Sequence, residues 1–93
     1  MSILNVTVTS TPATPVDKVT GVSLSYNRRY LMIHNPSQSG YLAFTFDDTT
    51  PVVSTNGFTL FPGGTFTSDQ MSMPGNLKMV SSLSSQSATI YWS

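Results

Sequence analysis

No stretch of about eleven or more residues carries apolar side chains at three-and-four spacing, so the chain has nothing from which to build an amphipathic helix. Ser, Thr, Gly and Pro interrupt every candidate, and Ser and Thr side chains compete for backbone hydrogen bonds inside a helix. What recurs instead is alternation with period two between turn signals. Leu4, Val6 and Val8 fall on one face of a first strand, with Asn5, Thr7 and Thr9 on the other. Arg28 to His34 is a dense β run that ends in the loop Asn35 to Gly40, with Tyr41 to Phe46 as its expected hairpin partner. In that partner Leu42, Phe44 and Phe46 are expected to face the core and Tyr41, Ala43 and Thr45 the outside. Asn56-Gly57 and Pro62-Gly63 are turn signals, followed by Phe58 and Leu60 and then by Phe66. Leu77 and Met79 alternate in a further strand. Ser81 to Ser87 reads as a serine-rich loop, and Ala88 to Trp92 as a packed terminal strand.

The intervals predict about seven or eight strands in an all-β, antiparallel β-sandwich of jelly-roll type. Val6, Val22, Leu24, Leu42, Phe44, Phe46, Phe58, Leu60, Phe66, Leu77, Met79 and Ile90 are its expected core, with Phe61 in the same aromatic alternation. At 93 residues the chain is one domain with a thin core that a neighbour is expected to complete. Residues 1–16 read as an N-terminal strand or arm with a Pro-bearing connection, and residues 17–93 as the sandwich. Pro12 and Pro15 lock φ and remove donors, so Ser10 to Pro15 is expected to run extended and exposed, with pairing resuming around Val19 to Leu24.

Charged residues are 9% of the chain against about 25% in an average domain. In their place stand 15 Ser and 13 Thr, with no Glu at all. A net charge of zero removes the electrostatic footprint that nucleic-acid and anionic-membrane binders rely on, so neither is an expected partner. The absence of Cys excludes disulfides, thiolate catalysis and Cys-based zinc sites. No apolar run approaches the roughly 20 residues of a membrane span, and Met1 to Asn5 lacks the start of a signal peptide, so a soluble, not conventionally secreted chain is expected. Asn5-Val6-Thr7 matches a glycosylation sequon that would need a eukaryotic secretory setting.

Candidate chemistry is sparse. His34, the one histidine, has no second His and no Cys for metal or triad geometry, and reads as a strand-end side chain bonded to the following loop. Asp47 and Asp48 are adjacent, which in a strand sends them to opposite faces; a turn, or a calcium ligand pair, are their readings. Gly63-Gly64 belongs to no phosphate-binding motif. No catalytic residue, metal or cofactor site is expected, and the chain is not expected to be an enzyme. Tyr26, Tyr30, Tyr41, Tyr91 and Trp92 are candidates for stacking on a sugar ring. Partner contacts are expected at Thr11, Pro12 and Pro15 of the extended connection, at Arg28 and Arg29, and at Tyr91 and Trp92 of the apolar chain end.

Three blocks, Asn27 to Asn35, Gly40 to Phe44 and Asn56 to Gly64, carry a pattern R-R-Y-L-hydrophobic-I-x-N, then a small residue before an aromatic, then G-x-x-L-x-P-G-G. In this the chain resembles small structural proteins of tailed-phage virions over roughly Asn27 to Val80. The resemblance implies a β-sandwich scaffold rather than a chemical site, and a duty similar to that of head decoration or cement proteins. Its implied partners are the major capsid protein or other virion proteins, with homo-oligomeric or lattice-bound copies on the capsid surface after synthesis in the host bacterial cytoplasm. A neck, tail or head-fibre component is the alternative within that setting, and a small carbohydrate-binding sandwich the alternative outside it. Met1 to Pro15 lie outside the match. A neutral Ser/Thr surface suits many weak hydrogen-bonded contacts to a large lattice without the desolvation cost of buried charge.

Overall fold

A computed structural model describes residues 2–16, 30–46, 49–68 and 76–92. The described residues form seven strands and no helix: β1 (Ser2–Thr9), β2 (Leu31–His34), β3 (Leu42–Thr45), β4 (Phe58–Leu60), β5 (Thr65–Ser68), β6 (Lys78–Ser81) and β7 (Ser85–Trp92). They make two antiparallel sheets, one ordered β1-β7-β2-β5 and the other β4-β3-β6. Among these residues no helix is long and apolar enough to cross a membrane.

Strand order identifies the architecture. In an eight-strand jelly roll lettered B to I in chain order, the sheets run B-I-D-G and C-H-E-F, built from two Greek keys. The described strands occupy every one of those places but C, in sequence order. The place of C, beside β6, is taken up at its start by Ala13, whose N–H and C=O both pair with Met79 at 3.0 and 2.9 Å.

Alternation sets which side chains meet. The inward row of the four-stranded sheet brings Leu4, Ile90, Ile33 and Phe66 side by side across β1, β7, β2 and β5. Leu42, Phe44 and Met79 face them from the other sheet, and with Leu31, Phe46, Leu77, Val8 and Ala88 they form one core. Phe44 is its centre, within 5.1 to 5.6 Å, ring to ring, of Phe46, Phe58 and Phe66.

The expected core holds at Leu42, Phe44, Phe46, Leu77, Met79 and Ile90; Val6, Leu60 and Phe66 pack against it half-buried, and Val22 and Leu24 lie outside the described residues. Several expectations fail. Phe58 is 50% and Phe61 67% exposed, because β4 is a three-residue edge strand and no described strand lies beyond it. Ala43 and Thr45 are buried, not outside. Residues 49–53 fold back over that face of β3: Thr45 Oγ1 donates to the Thr49 carbonyl, and the fully buried Pro51 lines a cleft with Val80, the cross-strand neighbour of Ala43. Tyr41 to Phe46 is not the hairpin partner of β2, since loop 35–40 carries the chain into the other sheet. The serine-rich stretch is mostly strand, with only Ser82 to Ser84 between β6 and β7. Ser10 to Ala13 is exposed as expected, Ala13 already pairs with Met79, and Pro15 is buried; Val19 to Leu24, where further pairing is expected, lie outside the described residues.

Candidate functional site

Among the described residues, Asn35, Gly40, Leu60, Phe61, Gly63 and Gly64 meet at one corner of the sandwich, whereas Asn27 to Arg29 lie outside the described residues. β2 ends at His34, and the next residue, Asn35, is completely buried beneath the crossing from one sheet to the other. Its Nδ2 donates to the carbonyls of Gly40 at 2.8 Å and of Leu60 and Phe61 at 3.2 Å. Its Oδ1 accepts from Gln86 Nε2 at 2.9 Å and from the Ser37 amide at 3.1 Å. Its backbone N–H donates to the Gly64 carbonyl and its C=O accepts from the Gly63 amide, each at 2.9 Å. One side chain therefore ties the β2–β3 loop, the end of β4 and β7. Gln86 Oε1 in turn accepts from Ser81 Oγ, which also accepts the Leu83 amide, so the network reaches the β6–β7 turn.

Local sequence explains the rest of this corner. Phe61-Pro62-Gly63-Gly64 closes with a 2.8 Å bond from the Gly64 amide to the Phe61 carbonyl, and Gly63 has φ +78°. Pro at the second and Gly at the third position are what a type II turn requires. Gly40 is packed so closely that a Cβ would lie 2.3 Å from Gln86 Oε1. Asn56-Gly57 is not itself the tight turn expected of it: that turn is Val53 to Thr55, and Gly57, at φ +87°, is needed because a Cβ there would meet the Phe44 carbonyl at 2.6 Å. The described glycines of the pattern are thus spent on architecture.

His34 lies on the outer face of the four-stranded sheet, in a polar row with Asn5, Thr89 and Thr65. Its Nδ1 is 3.0 Å from Thr65 Oγ1, and Thr89 Oγ1 donates to Asn5 Oδ1 at 3.0 Å. These cross-strand pairs link neighbouring strands across the outer face. Of the charged side chains only Lys78 is among the described residues; Arg28, Arg29, Asp47 and Asp48 lie outside them.

Of the expected partner residues, Arg28 and Arg29 lie outside the described residues, and the described ones, Thr11, Pro12, Pro15, Tyr91 and Trp92, are spread over several faces. Thr11 is exposed, with its amide donating to Thr9 Oγ1, and Pro12 is exposed beside Pro51 and Val52 at one cleft. Pro15 is buried in an apolar cleft beside Val6 and Val8. Tyr91 and Trp92 point to opposite faces of β7: Tyr91 lies between Ile3 and Met32 outside, while Trp92 packs half-buried against the core of its own chain. Among the sugar-stacking candidates, Tyr41 is exposed beside Phe61, their centroids 5.4 Å apart and their planes tilted by 69°, so the two rings share no flat platform. Tyr26 is outside the described residues, and Tyr30 is engaged with Met32 Sδ.

Reading the sequence misses the corner. Asn35 is assigned only to a loop and Gln86 to a serine-rich one, although Gln86 is in phase with Ala88, Ile90 and Trp92 and so belongs to an inward row. Compared with family models, with curated proteins and with solved structures, the chain matches none of them.

Proposed function

We propose that the chain is a non-enzymatic structural protein of a tailed-phage virion, a decoration subunit bound to the lattice of the major capsid protein. What supports this reading is that the described residues of the pattern by which the chain resembles such proteins, Asn35, Gly40 and Phe61 to Gly64, hold one corner of the sandwich. A motif used in this way marks a common scaffold. Jelly rolls recur in viral capsid proteins and in lectins, and the fold by itself does not choose between them. The neutral, hydroxyl-rich surface favours the lattice, and the tilt between Tyr41 and Phe61 disfavours a sugar platform.

The test is quantitative mass spectrometry of purified particles together with a density map of the virion. The expected result is a copy number that scales with the major capsid protein and density on the outer head surface. Density confined to the neck, tail or a fibre would replace decoration by that assignment, and absence from particles would overturn the virion reading altogether. Glycan binding abolished by Tyr41→Ala would favour the carbohydrate module.

A further inference from the structure

The sheet edges are treated unequally. β5 is a four-residue edge and β4 a three-residue edge followed by Pro62. β6 is covered at Met79 by Ala13, within a Pro-flanked segment. Short strands, proline and covering loops are the ordinary means of blunting an edge against pairing with another chain. Among the described residues β1 has none of them. It runs eight residues, Ser2–Thr9, in unbroken register with β7, without a charge, a proline, a glycine or a bulge, and it is outermost among the described strands. Beside it, on its inner side and at the mouth between the two sheets, lies an apolar cleft of about 360 Å³ lined by Val6, Val8, Ala13, Pro15, Val16 and Met79. An open edge offers backbone hydrogen bonds, and a neighbouring pocket takes alternate side chains; together they are the two components of strand addition.

We infer that β1 pairs antiparallel with β1 of a second copy, joining the two four-stranded sheets into one across a two-fold axis. A two-fold contact uses the same patch on both copies, so one unblunted edge per chain is satisfied and the assembly closes as a dimer. The strand suits itself: no charge meets a like charge, and the apolar row Leu4, Val6, Val8 is matched by its own copy. Register is restricted as well. The inward row must stay inward, so residues of like parity face one another, with either Asn5 opposite Asn5 or Val6 opposite Val6 of the second copy. Either arrangement brings the two clefts together as one apolar seam and covers Val6, which a single copy leaves half-exposed. The pairing stands independently of the virion reading.

Sedimentation equilibrium of the whole chain tests it, with an expected mass twice the 10.1 kDa of one chain. The double variant Asn5→Lys, Thr7→Lys, on exposed positions of β1, sets lysine against lysine in one register at position 5 and in the other between 5 and 7. Like charges directly opposite oppose pairing, so the Kd should rise by at least about tenfold. The double variant Asn5→Asp, Thr7→Asp should dissociate likewise, and an equimolar mixture of the two should recover the dimer. A wild-type chain that stays monomeric as concentration is raised overturns the inference, as does a lysine variant that remains fully dimeric. If either variant loses its β-sheet circular dichroism, hydrogen exchange of the wild type decides: β1 amides must become protected with rising concentration, and unchanged exchange overturns the pairing.

Discussion

Completely buried Asn35 uses its side-chain oxygen, its side-chain nitrogen and both backbone groups to tie the β2–β3 loop, the end of β4 and β7 together. Removing a partner from a buried network leaves the remaining groups without hydrogen bonds, at about 1–3 kcal/mol for each. Asn35→Ala strands the Gly40 carbonyl and the Gln86 amide, so chemical denaturation should show a loss of at least about 2 kcal/mol. A loss below about 1 kcal/mol would mean that water replaces the side chain. The glycines separate two causes. Gly63→Ala meets no atom within 4 Å and should cost only the backbone strain of a positive φ, about 1–2 kcal/mol. Gly40→Ala must push against Gln86 and Leu83 and should cost more. Phenylalanines separate by position in the same way: Phe44→Ala should cost about 3–5 kcal/mol, whereas Phe61→Ser, two-thirds exposed, should change stability by no more than about 0.5 kcal/mol.

Among the elements, β1 and β7 matter most, because the two chain ends pair over eight residues and carry Leu4, Val8, Ala88 and Ile90 into the core. The N-terminal strand is part of the sandwich in these residues. Deleting residues 1–9 should therefore abolish cooperative unfolding and the β-sheet circular dichroism signal; a truncated chain that still melts cooperatively would show that β2, β5 and β7 suffice. β3 illustrates how an element's surroundings override its own pattern. Its alternation of Leu42 and Phe44 with Ala43 and Thr45 is genuine, yet both rows are buried, because a loop covers the second one. Alternation distinguishes the two faces of a strand and says nothing about whether the second face is dry.

For the whole molecule, topology predicts kinetics: strands from opposite ends of the chain must meet before the four-stranded sheet exists, and such non-local pairing costs loop-closure entropy ahead of any gain. Refolding measured by stopped-flow fluorescence of Trp92 should take milliseconds to seconds, and a complete microsecond phase would contradict that order of events. Much of the architecture was legible in advance. Period-two alternation, the Pro62-Gly63 turn and the lack of any helical face are consequences of backbone geometry acting over a few residues, so strand existence, side-chain parity and the all-β class could be read directly from the residue order. The run from Leu31 to Asn35 was legible as a pattern but the use of Asn35 was not, since a polar residue at a strand end looks the same whether it lies in solvent or beneath a crossing. Tertiary structure alone decided which strands became neighbours, that β2 and β3 part into different sheets, that Phe58 and Phe61 stay half in water, and that Asn35 is buried. These depend on long-range packing, in which each segment's environment is created by others many residues away, and no local pattern carries that information.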